Sequence, residues 1–310
     1  MFPLGISING TTQQFLADLQ RNQLQLQQAQ GEISSGIAIQ QPSDDPTAIS
    51  EILQTQTEIS NNKQIQSNLS SVTTEVDTAD SALQTAVQAV ESAISIATQG
   101  ATGTASAETR ASLAEQVTGL QQSLVGVAQT TVNGRYIFSG DQESQAPYQL
   151  DPTQPEGVMQ LVTSSATRQI QSVDGTSFAV ALTAQQIFDP KNADGTPATG
   201  NVFAAVQDLQ TALTNNDTTG ITNAAASLKA ADSYLNGQLA FYGDVETRVT
   251  EASSLAQKFQ TQQQTELSNL QDTDIPTVAT ELTQLQNEQQ ASMEVEANVG
   301  QMKNLFSMLA

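Results

Sequence analysis

The chain has 310 residues, enough for two or three domains, with no Cys, His or Trp. Those absences exclude a disulfide framework, a thiolate nucleophile, a Ser-His-Asp triad and any zinc site with an imidazole or thiolate ligand. The formal net charge is −22, and the ten Lys and Arg stand singly, which excludes nucleic acid and anionic membrane surfaces as partners, since both need clustered cations.

Charged residues make up only 14% of the chain, against about 25% in ordinary globular domains. Gln, Ser, Thr and Ala take their place, so polar helix faces are mostly neutral and can lie side by side with little repulsion. No run approaches the roughly 18 apolar residues of a membrane-spanning helix. The opening Met1-Phe2-Pro3-Leu4-Gly5 lacks the basic and apolar regions of a signal peptide. The expected location is therefore the cytosol, or outside the cell by a route that reads no such peptide.

The first element is an amphipathic helix. Phe15, Leu19, Leu26, Ala29 and Ile33 fall on one stripe, interrupted by Asn22 and flanked by glutamines. Ser34-Ser35-Gly36 ends it. Pro42-Ser43-Asp44-Asp45-Pro46 reads as a turn with capping carboxylates, opening a helix over about 47–99. Leu69, Val76, Leu83, Val90 and Ala97 recur there every seven residues, joined by Val72, Ala79, Ala86 and Ala93 in a sustained heptad seam. After a small-residue turn, Leu113, Val117, Leu120, Leu124 and Val127 repeat the spacing up to Asn133-Gly134. Two such helices on a short connection pack antiparallel.

Between 135 and 200 the period changes. Segments 158–162, 168–173 and 178–182 read as short strands, punctuated by Pro152, Pro155, Asp174-Gly175 and Asp194-Gly195. Helical spacing returns at Val202, Val206, Leu209 and Leu213. It runs on from Ala224 through Leu235, Tyr242 and Val249 to Ala256 and Phe259. Asp272-Thr273-Asp274-Ile275-Pro276 breaks it, and a last helix carries Val278, Leu282, Leu285, Val295, Val299, Met302 and Phe306.

The expected fold is mainly α: a long antiparallel coiled coil or helical bundle built from both chain ends, with a small inserted β-rich domain. The divisions are 1–45 with 272–310 as a terminal helical domain, 46–134 with 201–271 as a helical bundle, and 135–200 as the insertion. A terminal helix alone buries too little to be stable in water. Its stripe therefore asks for a partner, and burying each Leu- or Phe-sized side chain is worth about 1.5–3 kcal/mol. The expected assembly interface, formed with neighbouring molecules, comprises Phe15, Leu19, Leu26 and Ile33 at one end and Leu282, Leu285, Val295, Val299, Met302 and Phe306 at the other.

No catalytic, cofactor-binding or metal-ligating residue is expected. Asp44-Asp45 has no third ligand or nucleophile beside it and reads as a helix cap. Ser60-Asn61-Asn62-Lys63 has the S-x-x-K spacing of acyl enzymes but lies mid-helix without the companion motifs. Asn192-Ala193-Asp194-Gly195 lacks the closing Glu of a calcium loop and reads as a β-turn.

The run Gln28-Ala29-Gln30-Gly31-Glu32-Ile33-Ser34-Ser35-Gly36, followed by Pro42-Ser43-Asp44-Asp45-Pro46-Thr47-Ala48, resembles the N-terminal region of bacterial flagellins and their hook–filament junction relatives. The S-D-D-P form is more like the junction branch than flagellin, which usually has K-D-D-A. Asn133-Gly134-Arg135-Tyr136-Ile137-Phe138-Ser139-Gly140 is similar to the junction branch's entry to an outer β domain. Leu270-Gln271-Asp272-Thr273-Asp274, Thr280 to Gln286 and Asn304-Leu305-Phe306 are similar to the shared C-terminal helix and tail. Ile37-Ala38-Ile39 stands where the family often has Lys or Arg.

The resemblance implies a non-enzymatic structural subunit of the flagellum, without cofactors. It implies export through the flagellar type III channel to an extracellular position, where it joins hook to filament. The terminal helices would line an inner tube and the β domain would face outwards. Implied partners are flagellin, the other hook–filament junction protein, further copies in a ring, and an export chaperone on the C-terminal helix. A short flagellin and a coiled-coil surface adhesin are the alternatives.

Overall fold

The computed structural model describes residues 7–308, with side chains described for 13–295 and 297. The chain forms two compact units: residues 1–60 with 261–310, and residues 61–260.

The first unit holds α1 (Ser7–Ser35), α7 (Ile275–Met308) and one end each of α2 (Ala48–Gly100) and α6 (Thr218–Gln271). Gly36, at φ 74°, ends α1 in the left-handed conformation that suits glycine, and its N–H bonds the Glu32 carbonyl at 2.8 Å. A second stop lies at Asp272-Thr273-Asp274. There the Asp272 N–H bonds the Ser268 carbonyl at 2.9 Å, and Asp274 offers its carbonyl to the Val278 N–H at 3.0 Å as α7 begins.

The second unit is a helical bundle. Its long members are the rest of α2, α3 (Ala107–Ala128), α5 (Val202–Thr214) and the rest of α6. Every residue of the α2 seam, from Leu69 through Val72, Val76, Ala79, Leu83, Ala86, Val90 and Ala93 to Ala97, is buried. It shares one core with Leu113, Val117 and Leu124 of α3, Val206, Leu209 and Leu213 of α5, and Leu228, Leu235, Val245 and Val249 of α6. The apolar stripe of α6 stays covered only as far as Ala256, and Phe259, read as its continuation, is 39% exposed. Polar anchors set the register between α2 and α6: Asn62 Nδ2 donates to the Ala256 carbonyl at 3.0 Å, and Gln66 Nε2 to Gln260 Oε1 at 2.7 Å.

The chain between α3 and α5 makes three antiparallel hairpins and a short helix. β1 (Thr131–Val132) pairs with β2 (Arg135–Tyr136), β3 (Tyr148–Leu150) with β4 (Val158–Gln160), and β5 (Gln169–Gln171) with β6 (Ser177–Ala179). The strands expected at 158–162, 168–173 and 178–182 overlap β4, β5 and β6, while β1, β2 and β3 were not foreseen. α4 (Ala184–Phe188) is closed by a capping box between Thr183 and Gln186. Two-stranded hairpins are marginal alone. These three rest on the helices, because Phe138, Tyr148, Ile170, Phe178 and Phe188 belong to the same core as the bundle.

Candidate assembly interface

Within the first unit the two terminal helices pair with each other. Ala29, Val278 and Leu285 are buried, with Leu26, Ile33 and Leu282 packed half-buried around them, in a cluster separate from the main core. The spacing of these residues gives one narrow stripe per helix, and here the two stripes close on each other. Leu26, Ile33, Leu282 and Leu285, expected to wait for neighbouring molecules, thus find cover inside the chain. Phe15 and Leu19 are half-buried further along α1, and Val295 is 54% exposed. The side chains of Val299, Met302 and Phe306 lie outside the described residues.

The pair is locked at one end by main-chain hydrogen bonds. The Ala38 N–H bonds the Gln271 carbonyl at 2.8 Å and the Thr273 N–H bonds the Gly36 carbonyl at 3.0 Å, so Ile37 and Asp272 form an isolated antiparallel bridge. Asp44 Oδ2 accepts the N–H groups of Gln40 and Gln41 at 3.0 and 2.8 Å, while Asp45 Oδ1 accepts those of Thr47 and Ala48 at 2.9 and 3.1 Å. Asp45 is the cap foreseen for α2, whereas Asp44 pins the preceding loop. The Gln41 and Gln40 amides hold the Asp44 carboxyl below the usual range, and the Thr47 hydroxyl, with the Ala48 and Thr47 amides, does the same for Asp45. Both carboxylates serve structure.

Apolar surface remains around this pair. Leu16 (49%) and Leu24 (67%) on α1, Leu53 (56%) on α2, and Met293 (51%) with Val295 on α7 are large and exposed. Leu16, Leu24, Leu53 and Met293 were not read as interface residues, since they lie off the main stripes.

The second unit carries three polar clusters that the sequence did not reveal. Glu75 on α2 receives Arg135 at 2.8 Å and also Arg168, and Arg135 bonds Glu143 at 2.9 Å, tying the first and third hairpins to the bundle. Arg110 of α3 is buried. Its Nε donates to the Gly100 carbonyl at 2.8 Å, and its other nitrogens donate to the Thr102 carbonyl and to Asn216 Oδ1, so one guanidinium holds two inter-helix turns. Asp189, fully buried, accepts from the Tyr148 hydroxyl at 2.8 Å and Asn201 Nδ2 at 2.7 Å, with Lys191 Nζ 3.2 Å away. Burial, then the charge of Asp189, pushes the Tyr148 hydroxyl up, and the same two causes push Glu156 up against the opposing pull of Lys191.

Ser60 and Lys63 are exposed on α2. At the supposed calcium loop, Asp194 Oδ1 accepts from the N–H and hydroxyl of Thr196 at 3.0 and 2.6 Å, and Gly195 has φ 82°. That is the expected β-turn. Among the described residues no group of three or more acidic side chains could hold a metal, and no helix is long and apolar enough to cross a membrane.

One unit pairs the N- and C-terminal helices, and the other is a helical bundle carrying a small hairpin insertion. Residues 6–143 match the bacterial flagellin N-terminal helical region. The chain's fold is that of the hook–filament junction proteins. A Legionella pneumophila flagellar hook associated protein-3 superposes with TM-score 0.61 at 16% identity, covering 71% of this chain and 98% of that one. Xanthomonas campestris FlgL gives 0.58 at 15% identity, covering 70% and 99%. The flagellar junction protein FlgL from Legionella pneumophila gives 0.53 at 16%, covering 66% and 99%. Among curated proteins none matches the chain in sequence.

Proposed function

We propose that this chain is a structural subunit of the bacterial flagellum, an adaptor at the hook–filament junction. The observation that carries the reading is the incomplete cover of the terminal pair: Leu16, Leu24, Met293 and Val295 stay exposed beside a closed inner cluster. Large exposed apolar side chains on the paired terminal helices suit an interaction surface. On this reading 1–45 and 272–310 form the inner-tube part, 46–134 and 201–271 the bundle, and 135–200 the outward part. Phe15, Leu19 and Val295, with Val299, Met302 and Phe306, meet neighbouring subunits. Leu26, Ile33, Leu282 and Leu285 first hold the two ends of one molecule together, and the same stripes repack on assembly.

The partners in this reading are the hook-associated protein on one side, flagellin on the other and further copies in a ring. A chaperone holds the C-terminal helix during type III export, and the work is mechanical rather than enzymatic. Deleting the gene should leave hooks without filaments and release flagellin into the medium. Normal filaments in the deletion strain would end the proposal. A second reading, a short flagellin, is favoured by the matched N-terminal region itself. Seeded growth separates the two: a junction subunit adds a collar and stops, whereas a flagellin continues.

A further inference from the structure

The chain holds three Asn-Gly pairs, at 9–10, 133–134 and 236–237, and the structure places the last two in contrasting settings. Asn133-Gly134 forms the exposed two-residue turn between β1 and β2, with φ 53° and 76°. Gly134 lies in the loop closed by the last ladder pair, Val132↔Arg135, so its N–H is no part of the register. Both residues of the turn are exposed to solvent, and a Cβ placed on Gly134 would meet nothing within 4 Å. Asn236-Gly237 sits inside α6, where helical hydrogen bonding occupies the glycine N–H. There Asn236 Nδ2 donates to the Asp232 carbonyl at 2.9 Å.

We infer that Asn133 is a site of spontaneous deamidation, and that Asn236 is protected by its helix. The Gly134 nitrogen gives up its proton to solvent and attacks Asn133 Cγ. The new C–N bond closes a five-membered imide as the Cγ–Nδ2 bond breaks and ammonia leaves. Water then opens either imide bond, giving aspartate or isoaspartate. The net change is one water consumed and one ammonia released, with no redox step. Glycine favours the attack because it has no side chain to crowd the nitrogen. The isoaspartate product inserts a carbon into a two-residue turn, next to the Arg135 that bonds Glu75 and Glu143.

The test incubates the full chain at mildly alkaline pH, folded and in denaturant, and maps peptides by fragmentation that separates aspartate from isoaspartate. In the folded protein Asn133 should convert at least about tenfold faster than Asn236, because reaction at Asn236 requires local opening of the helix. In denaturant the two rates should converge, and Asn133→Gln should abolish the product at that site. If Asn133 keeps its amide in the folded protein while both sites convert in denaturant, the turn protects it and the inference fails. Equal rates in the folded chain would also overturn it.

Discussion

Asn22 of α1 donates from Nδ2 to the Leu285 carbonyl of α7 at 3.4 Å, joining residues 263 positions apart, while its Oδ1 is buried without a hydrogen-bond partner. The residue that interrupts the apolar stripe is therefore a half-satisfied polar group in the seam between the two chain ends. Such a group costs stability and fixes register. Replacing it with Leu removes the orphaned oxygen and continues the stripe. Asn22→Leu should stabilise the terminal pair by about 1–2 kcal/mol, read as slower hydrogen exchange in α1 and α7. Unchanged exchange would show that the seam carries no such strain.

Leu285 is the most buried large side chain of the terminal cluster, at 6% exposure. Leu285→Ala should cost the pair about 2–3 kcal/mol. The loss should appear as protease sensitivity of both chain ends, with denaturant unfolding of residues 61–260 unaltered, because the cluster is separate from the main core.

Arg110 differs in kind, since its neighbours in the structure are carbonyls and an amide rather than a carboxylate. Truncation removes the guanidinium from the buried Gly100 carbonyl, while the exposed Thr102 carbonyl keeps the Ala105 N–H at 3.2 Å. Arg110→Ala should lower the unfolding free energy of the bundle by about 2–4 kcal/mol, measured by urea denaturation. Arg110→Lys should recover part of that, because an ammonium can serve only some of the three acceptors.

Glu75 is the meeting point of Arg135 and Arg168. Glu75→Gln keeps the shape and removes the charge, and should cost about 1–2 kcal/mol, the arginines being partly exposed and screened. Hydrogen exchange should rise at the first and third hairpins and stay unchanged at β3 and β4.

The acid response contains opposing contributions. Glu156 has its pKa raised above the ordinary 4.5, chiefly by burial and then by Asp189. Its contribution to stability is therefore complete below pH 4.5 and fades as pH rises through the higher folded value. Asp151, Asp174 and Asp194 are held below the ordinary 3.8, first by the hydroxyls of Thr153, Thr176 and Thr196. Their contributions are present above 3.8 and vanish as pH falls through the folded values. A pH titration of stability should flatten above pH 4.5 in Glu156→Gln and be unaltered there in Asp194→Asn.

The helices were legible because their signal is periodic and repeated: the seam from Leu69 to Ala97 needs only spacing to be read. The pairing of the ends was half-legible. The stripes on Leu26, Ile33, Leu282 and Leu285 were visible, but periodicity does not say whether a stripe closes on its own chain or on a neighbour's. Glu75, Arg110 and Asp189 were invisible, since each is a lone charged residue whose partners come from distant segments. The repeated Asp-x-Thr turns at 45, 151, 174 and 194 did leave a local trace, in the threonine two places after each aspartate, and that trace went unread.

The hairpins borrow their footing from the helices beneath them. Phe138, Tyr148 and Phe188 are nearly inaccessible, and their rings meet Tyr242 and Phe203 at centroid distances of 5.1–6.4 Å. Anyone wishing to swap this insertion for a foreign epitope or a shorter loop should keep those three aromatics and exchange only the turns around Asp151, Asp174 and Asp194. Excising the whole of 135–200 would bare the part of the bundle core those residues cover and leave a sticky apolar surface.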